Sequence, residues 1–213
     1  MIKMGKLSIL MLQETKLDAK EMIASKAWLW KGSKATTSGA RGASGGLCTI
    51  WNTKILELKD ALIEQYYLMV TLLHIQTCII INTFNIYAPN SYNEKLYMWN
   101  SLKKRKYFGH HNNNIVSEDF NVVLSPSEKK GGSFVRDPFK EHMEDLITEW
   151  DLMEIVPKNA KYTRSNRRAG IGHILARLDR FLVHSDILLE NLDMFSSTIP
   201  SGVSNHNLIS LTF

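Results

Sequence analysis

Asp119 and Asn121 are the residues of this 213-residue chain best spaced for chemistry on a charged substrate. In Ile115-Val116-Ser117-Glu118-Asp119-Phe120-Asn121 an apolar run feeds an acid, an aromatic and an amide, with polar sequence on both sides. That pattern suits a buried strand delivering a carboxylate and a carboxamide to one spot. The Asp can hold a water or a metal, and the Asn, two residues on and on the same face, can hold a phosphate oxygen. The same letters also describe a strand running into an Asx-turn, with no chemistry attached. Glu14 directly follows the apolar run 7–12, either as a solvated strand end or as a metal ligand. Asp179 lies inside the strand-like stretch 176–183, where a carboxylate is costly without a partner.

Elements must bring these groups together. Strands are expected at 7–12, 47–51, 66–75, 78–87, 115–119, 176–183, 195–199 and 208–213. The runs 66–75 and 78–87 read as a hairpin turning at Gln76-Thr77, and Pro89, which has no N–H for a ladder, stops the second. A helix is expected over 93–106, with Leu96, Trp99 and Leu102 on one face and a basic, solvated end at 103–106. A second starts at Asp137-Pro138, with Asp137 as N-cap and Phe139, Met143, Leu146 and Trp150 as its core stripe. Ser185 can cap a short third helix. The Gly/Ser/Thr-rich residues 31–46, the segment 125–133 and the arginine-bearing segment 162–172 read as loops.

Composition narrows the class. With 44% hydrophobic and 22% charged residues the chain is globular, with length for one domain, 1–213, and a sizeable core. The net charge of +5 weakly favours a polyanionic partner. Cys48 and Cys78 lie far apart in apolar runs and read as reduced core residues, so neither a disulfide framework nor a zinc site is expected. His110 and His111 are adjacent, point apart and make no metal site. No apolar run has membrane-spanning length, and the first residues do not form a signal peptide. An intracellular protein is expected, with a nuclear location compatible.

Seven short stretches in order resemble the endonuclease/exonuclease/phosphatase superfamily, and within it the apurinic-type endonuclease domain of plant LINE-type (non-LTR) retrotransposons. They are Leu12-Gln13-Glu14-Thr15-Lys16, Gly42-Ala43-Ser44-Gly45-Gly46-Leu47, Asn85-Ile86-Tyr87-Ala88-Pro89-Asn90, Asp119-Phe120-Asn121, Tyr162-Thr163 with Ser165-Asn166, Arg177-Leu178-Asp179-Arg180-Phe181, and Ser204 with His206. The resemblance implies an α/β, four-layer sandwich of two mostly antiparallel sheets flanked by helices. It implies hydrolysis of DNA phosphodiesters with Mg²⁺ or Mn²⁺ by a monomer. By resemblance Glu14 is a metal ligand, Asp119 orients the attacking water, and Asn121 and Tyr87 hold the phosphate. His206 faces the scissile phosphate, Asp179 fixes its tautomer, and Arg177, Arg167 and Arg168 lie along the DNA backbone.

The departures set a further expectation. The family's first strand and helix have no counterpart, so the fold is expected to lack them. The family's Ser-Asp-His stands as Ser204-Asn205-His206, a neutral amide where a metal-binding carboxylate belongs. Glu118 replaces a glycine and is expected to add a charge beside the phosphate site, and Arg164 replaces a tryptophan. Weak or absent turnover follows, with a catalytically dead fold that only binds nucleic acid, or a pseudogene product, as the alternative. A phosphatase of the same superfamily, acting on inositol phosphates or lipids, fits the 162–183 stretch less well.

Overall fold

Alternation along the strands builds two stacked sheets. The computed structural model describes residues 8–18, 20–24, 30–40, 45–105, 113–190, 194–202 and 204–212. Six strands form the larger sheet, in the order β4 (Leu56–Ile63), β5 (Tyr67–His74), β6 (Ile80–Tyr87), β7 (Asn114–Asp119), β12 (Asp179–His184) and β9 (Leu152–Glu154). All its neighbours are antiparallel except β6 and β7. A parallel pair needs a crossover, and helix α1 (Tyr92–Lys103) supplies it. The second sheet runs β1 (Ile9–Leu12), β3 (Leu47–Asn52), β2 (Ser33–Ser38). Two smaller sheets complete the described fold: β10 (Arg164–Ser165), β11 (Leu175–Ala176) and β8 (Lys129–Lys130), and the pair β13 (Phe195–Ile199) and β14 (Leu208–Thr212).

Period-two alternation decides which face each side chain serves. Tyr67, Met69, Phe84, Ile86, Val116 and Leu182 point to one side of the large sheet. There they meet Met98, Trp99 and Leu102 of α1, and Met143 and Leu146 of α2 (Lys140–Glu149). Val70 and Leu72 point the other way and pack on Trp51 of the second sheet. Beyond that sheet, Met22 and Trp30 cover Cys48 and Ile50. The layers are therefore helices, six strands, three strands and a helical turn at 20–24, an α/β sandwich of mostly antiparallel sheets with helices outside. Each large apolar side chain fully buried here contributes about 1.5–3 kcal/mol.

Two amides join the sheets. Asn85 is fully buried and its Nδ2 donates to the carbonyls of Leu12 (3.2 Å) and Cys48 (3.1 Å). Gln13 Nε2 donates to the carbonyls of Ile86 (2.9 Å) and Ser117 (3.3 Å). The end of β1, and with it Glu14, is thus fixed to β6 and β7.

The structure departs from the sequence expectations in several places. Residues 31–46 are not all loop: Ser33–Ser38 pairs with β3 along its whole length, since threonines suit a pleated ladder. Strand β4, which the sequence reading does not anticipate, is a charged, bulged edge, a pattern that hinders edge-to-edge pairing. The stretch 176–183 is two strands in different sheets, with Arg177 and Leu178 crossing between them. Helix α2 starts at Lys140, and Asp137 instead accepts the Phe139 N–H in a turn before it (2.9 Å). Ser185 is the first residue of α3 (Ser185–Glu190) and donates its hydroxyl to Asp151. Cys78 is exposed in the β5–β6 turn at φ 58°, whereas Cys48 is buried. The hairpin itself, β13, β14 and the α2 core stripe stand as expected. Residues 41–44 of the glycine-rich motif, Leu7, Lys106, His110, His111 and Phe213 lie outside the described residues. No described helix is long and apolar enough to cross a membrane.

Gly46 locks the Glu14 turn to β3. Its carbonyl accepts the Thr15 N–H (3.1 Å), its φ is 85°, and a Cβ there would lie 2.3 Å from Thr15 Oγ1. Gly46→Ala is expected to lower unfolding free energy by about 1–3 kcal/mol through crowding and backbone strain. Adding Thr15→Ala should return part of that loss, because the hydroxyl is gone while the backbone strain and the 3.2 Å approach to the Lys16 nitrogen remain. Denaturant unfolding of the single and double variants checks this.

Candidate active site

The β7–β12 register sets Asp119 directly opposite Asp179. Like charges facing each other across a ladder repel, and both carboxylates are buried. His206, from the loop joining β13 to β14, relieves this. Its Nδ1 lies 3.0 Å from each Asp179 oxygen and 3.8 Å from Asp119 Oδ2. Nδ1 carries the proton in that contact, which leaves Nε2 to face a substrate. The parallel β6–β7 register places Tyr87 beside Asp119 on the other side. The Tyr87 hydroxyl donates to Glu14 Oε1.

Asn121 follows the strand at φ 51°. Its N–H donates to Asp119 Oδ1 (3.0 Å) and its Nδ2 to the Ala88 carbonyl (3.2 Å). The stretch forms the Asx-turn, in which Asp119 uses Oδ1 for its own turn and turns Oδ2 toward His206. Lys95, buried on α1, donates to the Asn121 carbonyl (3.2 Å) and lies over the Phe139 ring at 5.2 Å.

The electrostatics follow from burial and crowding. Burial, and then the Asp179 charge, push the Asp119 carboxyl up to about 7, against the pull of His206. Burial alone would lower the His206 imidazole. The Asp179 hydrogen bond and the charges of Asp179 and Asp119 outweigh it, and the net shift is upward. Burial, the Glu14 hydrogen bond and the Glu14 charge lift the Tyr87 phenol far above its ordinary range, so it stays a donor.

Such a cluster suits a cation. Asp119, Asp179 and His206 offer ligand atoms that all lie within 4.8 Å of one another. Hard carboxylate oxygens match Mg²⁺ or Mn²⁺, and a cation there would offset the two crowded acids. Glu14, placed by the sequence reading as a metal ligand, stands outside that group and reaches it through Tyr87. Asn205, at the expected metal position, is exposed, and its main-chain carbonyl accepts the Ser165 N–H (2.9 Å).

Other sequence-derived placements are corrected. Glu118 is not beside the phosphate site. One residue from Asp119, it points to the opposite face, fully buried, opposite Arg180. Arg177 is not displayed for a DNA backbone. Its guanidinium turns inward to Glu128 and to Glu154 (3.4 Å). Arg167 is exposed, but its guanidinium donates to the main-chain carbonyls of Ser201, Gly202 and Ser204. Arg168 remains exposed, as a phosphate contact requires.

Sequence reasoning missed the cluster behind the site. Arg180, with no exposed side-chain surface, donates to Glu128 (2.7 and 3.1 Å) and Glu154 (2.9 Å). Those hydrogen bonds and the Arg177 contact pull Glu128 down to about 2 despite the opposing effect of burial. Two guanidiniums thus balance two carboxylates. Glu118 is a third acid, 3.9 Å from Arg180 Nε. Burial, with too little of the Arg180 charge left to it, pushes Glu118 well above the usual carboxylate range. The available signal was the alternation of Glu118-Asp119 against Asp179-Arg180. Thr163 was quoted only within a motif, yet its buried Oγ1 accepts both the Leu178 and Asp179 N–H groups (3.0 Å each).

Neither a protein-family model nor a curated protein sequence matches the chain. Solved structures do. An AP endonuclease from Leishmania major is 18% identical with a TM-score of 0.70, over 95% of this chain and 77% of that one. The endonuclease domain of TRAS1, a telomere-specific non-LTR retrotransposon, is 16% identical with a TM-score of 0.69, over 97% and 85%. An endonuclease/exonuclease/phosphatase from Bacteroides vulgatus is 12% identical with a TM-score of 0.69, over 99% and 85%. The chain has the endonuclease/exonuclease/phosphatase fold.

Glu118→Gln tests the neutral buried acid. A carboxyl whose folded pKa is raised stabilises the fold only below its unfolded pKa, and that contribution fades as pH rises toward the folded value. The glutamine has no proton to lose. The variant should match the wild type near pH 4 and exceed it increasingly above, by about 1.4 kcal/mol per pH unit until Glu118 itself ionises. Paired unfolding curves from pH 4 to 8 read this out, and a constant difference would mean Glu118 is charged in the fold.

Proposed function

We propose that this chain is a divalent-metal-dependent phosphodiesterase of the nuclease type whose substrate is DNA. The observation that carries the reading is the Asp119–Asp179–His206 cluster, set beside the Tyr87–Glu14 pair across β6, β7 and β12. Phosphodiester hydrolysis needs an activated water, neutralised phosphate charge and a held substrate. Asp119, ionised above about pH 7 when no cation is bound, accepts a proton from a water and aims it. His206, oriented through Nδ1 by Asp179, presents Nε2 to a phosphate oxygen, and the upward shift from the Asp179 hydrogen bond and the two carboxylate charges favours its protonated, donating form. Tyr87 keeps its phenolic proton and positions Glu14. Asn121 is held by three hydrogen bonds at the end of β7, where its amide can border the phosphate. Asp119 and Asp179, with Glu14 beside them, would hold the Mg²⁺ or Mn²⁺ while His206 stays on the phosphate. When bound, the ion supplies Lewis-acid stabilisation of charge on the phosphate.

DNA as substrate is supported by the +5 charge, by exposed Arg168, and by the likeness to an AP endonuclease and a retrotransposon endonuclease domain. The ordered motifs of residues 12–206 favour the plant LINE-type branch. Turnover is weak in this copy, because Asn205 places a neutral amide in the histidine loop where the motif has a carboxylate. That same amide favours a second reading, a fold that binds nucleic acid without cutting it.

Nicking of supercoiled plasmid with Mg²⁺ tests the first reading. Asp119→Ala and His206→Ala should each lower the rate by about 10²-fold or more, whereas Asn205→Asp should raise it. Nicking by purified protein that survives both alanine changes would overturn the site assignment. Salt-sensitive duplex binding with no nicking in any variant, Asn205→Asp included, would establish the second reading.

A further inference from the structure

We propose that Arg167 is a positioning residue, whose guanidinium clamps Ser201, Gly202 and Ser204 and so holds His206 against Asp179. His206 sits in the connection between Ile199, the last residue of β13, and Leu208, the first of β14. Arg167 Nη2 donates to the carbonyls of Ser201 (2.8 Å) and Ser204, and Nη1 donates to that of Gly202 (3.2 Å). Three carbonyls of one short loop thus converge on a single cation.

Around His206 the main chain is tied on both sides to the strand that leads to Arg167. Ser165 N–H donates to the Asn205 carbonyl (2.9 Å), and Asn207 N–H to the Thr163 carbonyl (2.7 Å). Arg164 and His206 form a β-bridge between them. Within the loop, His206 N–H donates to Ser204 Oγ (3.1 Å). The clamp is therefore continuous with the contacts that seat the imidazole. Arg167 itself is shaped for it: its φ is 55°, and its N–H donates to Ser165 Oγ (3.1 Å), which turns the side chain back over the loop. A planar fork with several donors in fixed directions suits three carbonyls spread along a loop better than the point charge of an ammonium. The contacts are charge-assisted, so they hold at a solvent-exposed site where neutral bonds would compete poorly with water.

A positioning role and a DNA-backbone role make opposite statements about binding. Removing a phosphate contact weakens DNA binding and lowers the slope of affinity against salt by about one. Removing the clamp leaves both unchanged and loosens the loop. The proposal deepens the nuclease reading only in its catalytic arm, since loop order is measurable without turnover.

The test uses the full chain with Arg167→Ala and Arg167→Lys. Amide hydrogen exchange is followed at Ser165 and Asn207, with β5 and β6 amides as internal reference, and affinity for a short DNA duplex is measured against salt. In Arg167→Ala, exchange at Ser165 and Asn207 should rise about tenfold or more through local opening, with the reference amides and the salt slope unchanged. Methylguanidinium should restore the protection, and Arg167→Lys, which reaches one carbonyl, should fall between. Where the wild type nicks DNA, kcat should drop with KM unchanged. If the alanine variant does not fold, the lysine variant carries the same comparison. Unchanged protection at both amides overturns the proposal, as does a salt slope lower by about one. Absence of nicking in every variant fails the nuclease reading alone and leaves the exchange result to decide this one.

Discussion

The pairing register of β7 with β12 is the constraint on which the rest of the site depends. It sets Asp119 against Asp179 on one face and Glu118 against Arg180 on the other. A slip of β12 by one residue would send Asp179 and Arg180 to the opposite faces. Asp179 would then lie among the helix-side apolar residues and the guanidinium would point at the substrate. The repelling pair becomes tolerable because His206 arrives from outside the sheet and bonds to Asp179.

The reverse face is what makes the register costly to change. Arg180, buried completely, has two carboxylate partners supplied by the 3₁₀ turn Pro126–Glu128 and by β9. Buried ion pairs are weak evidence for stability, but breaking one by removing a single partner costs about 3–5 kcal/mol. Any alternative pairing of β12 would strand Arg180 or Glu128 in apolar surroundings. Charges that add little net stability can thus penalise misregistered sheets strongly. Burial beside that balanced set raises the Glu118 carboxyl and so disfavours a further buried charge one position from Asp119.

Much of this was legible in the residues. Strands with continuous apolar runs, the 66–87 hairpin and the α2 stripe follow from periodicity alone. The members of the candidate site were found because short motifs occur in order, and their roles in the row Tyr87, Asp119, Asp179 come from register, which the sequence does not print. What failed had physical causes. Strand β2 is built of Ser, Thr, Lys and Ala, letters shared with loops, and only its partner β3 makes it a strand. Arg177 and Arg167 were placed on the DNA backbone by the resemblance, yet a guanidinium on a long stem can turn to acceptors within the protein, and both do. Glu118 was placed by sequence adjacency to Asp119, although adjacent strand residues face opposite ways. Lys95 carries no periodic signal that singles it out, while the Asn121 carbonyl and the Phe139 ring give it a buried seat.

The residues that meet at this site, Glu14, Tyr87, Asp119, Asp179 and His206, are separated along the chain by tens of residues each. No local segment contains two of them in contact. Loop-closure entropy must be overcome several times before any of their interactions forms, so the topology is one of high contact order and slow assembly. Hairpins such as β5–β6 can form early, but the Asp119–Asp179 repulsion goes unrelieved until the last part of the chain docks. The His206 loop is accordingly a late closure in folding. It is also the natural first opening in unfolding, which makes the order of that loop a reporter for completion of the whole domain.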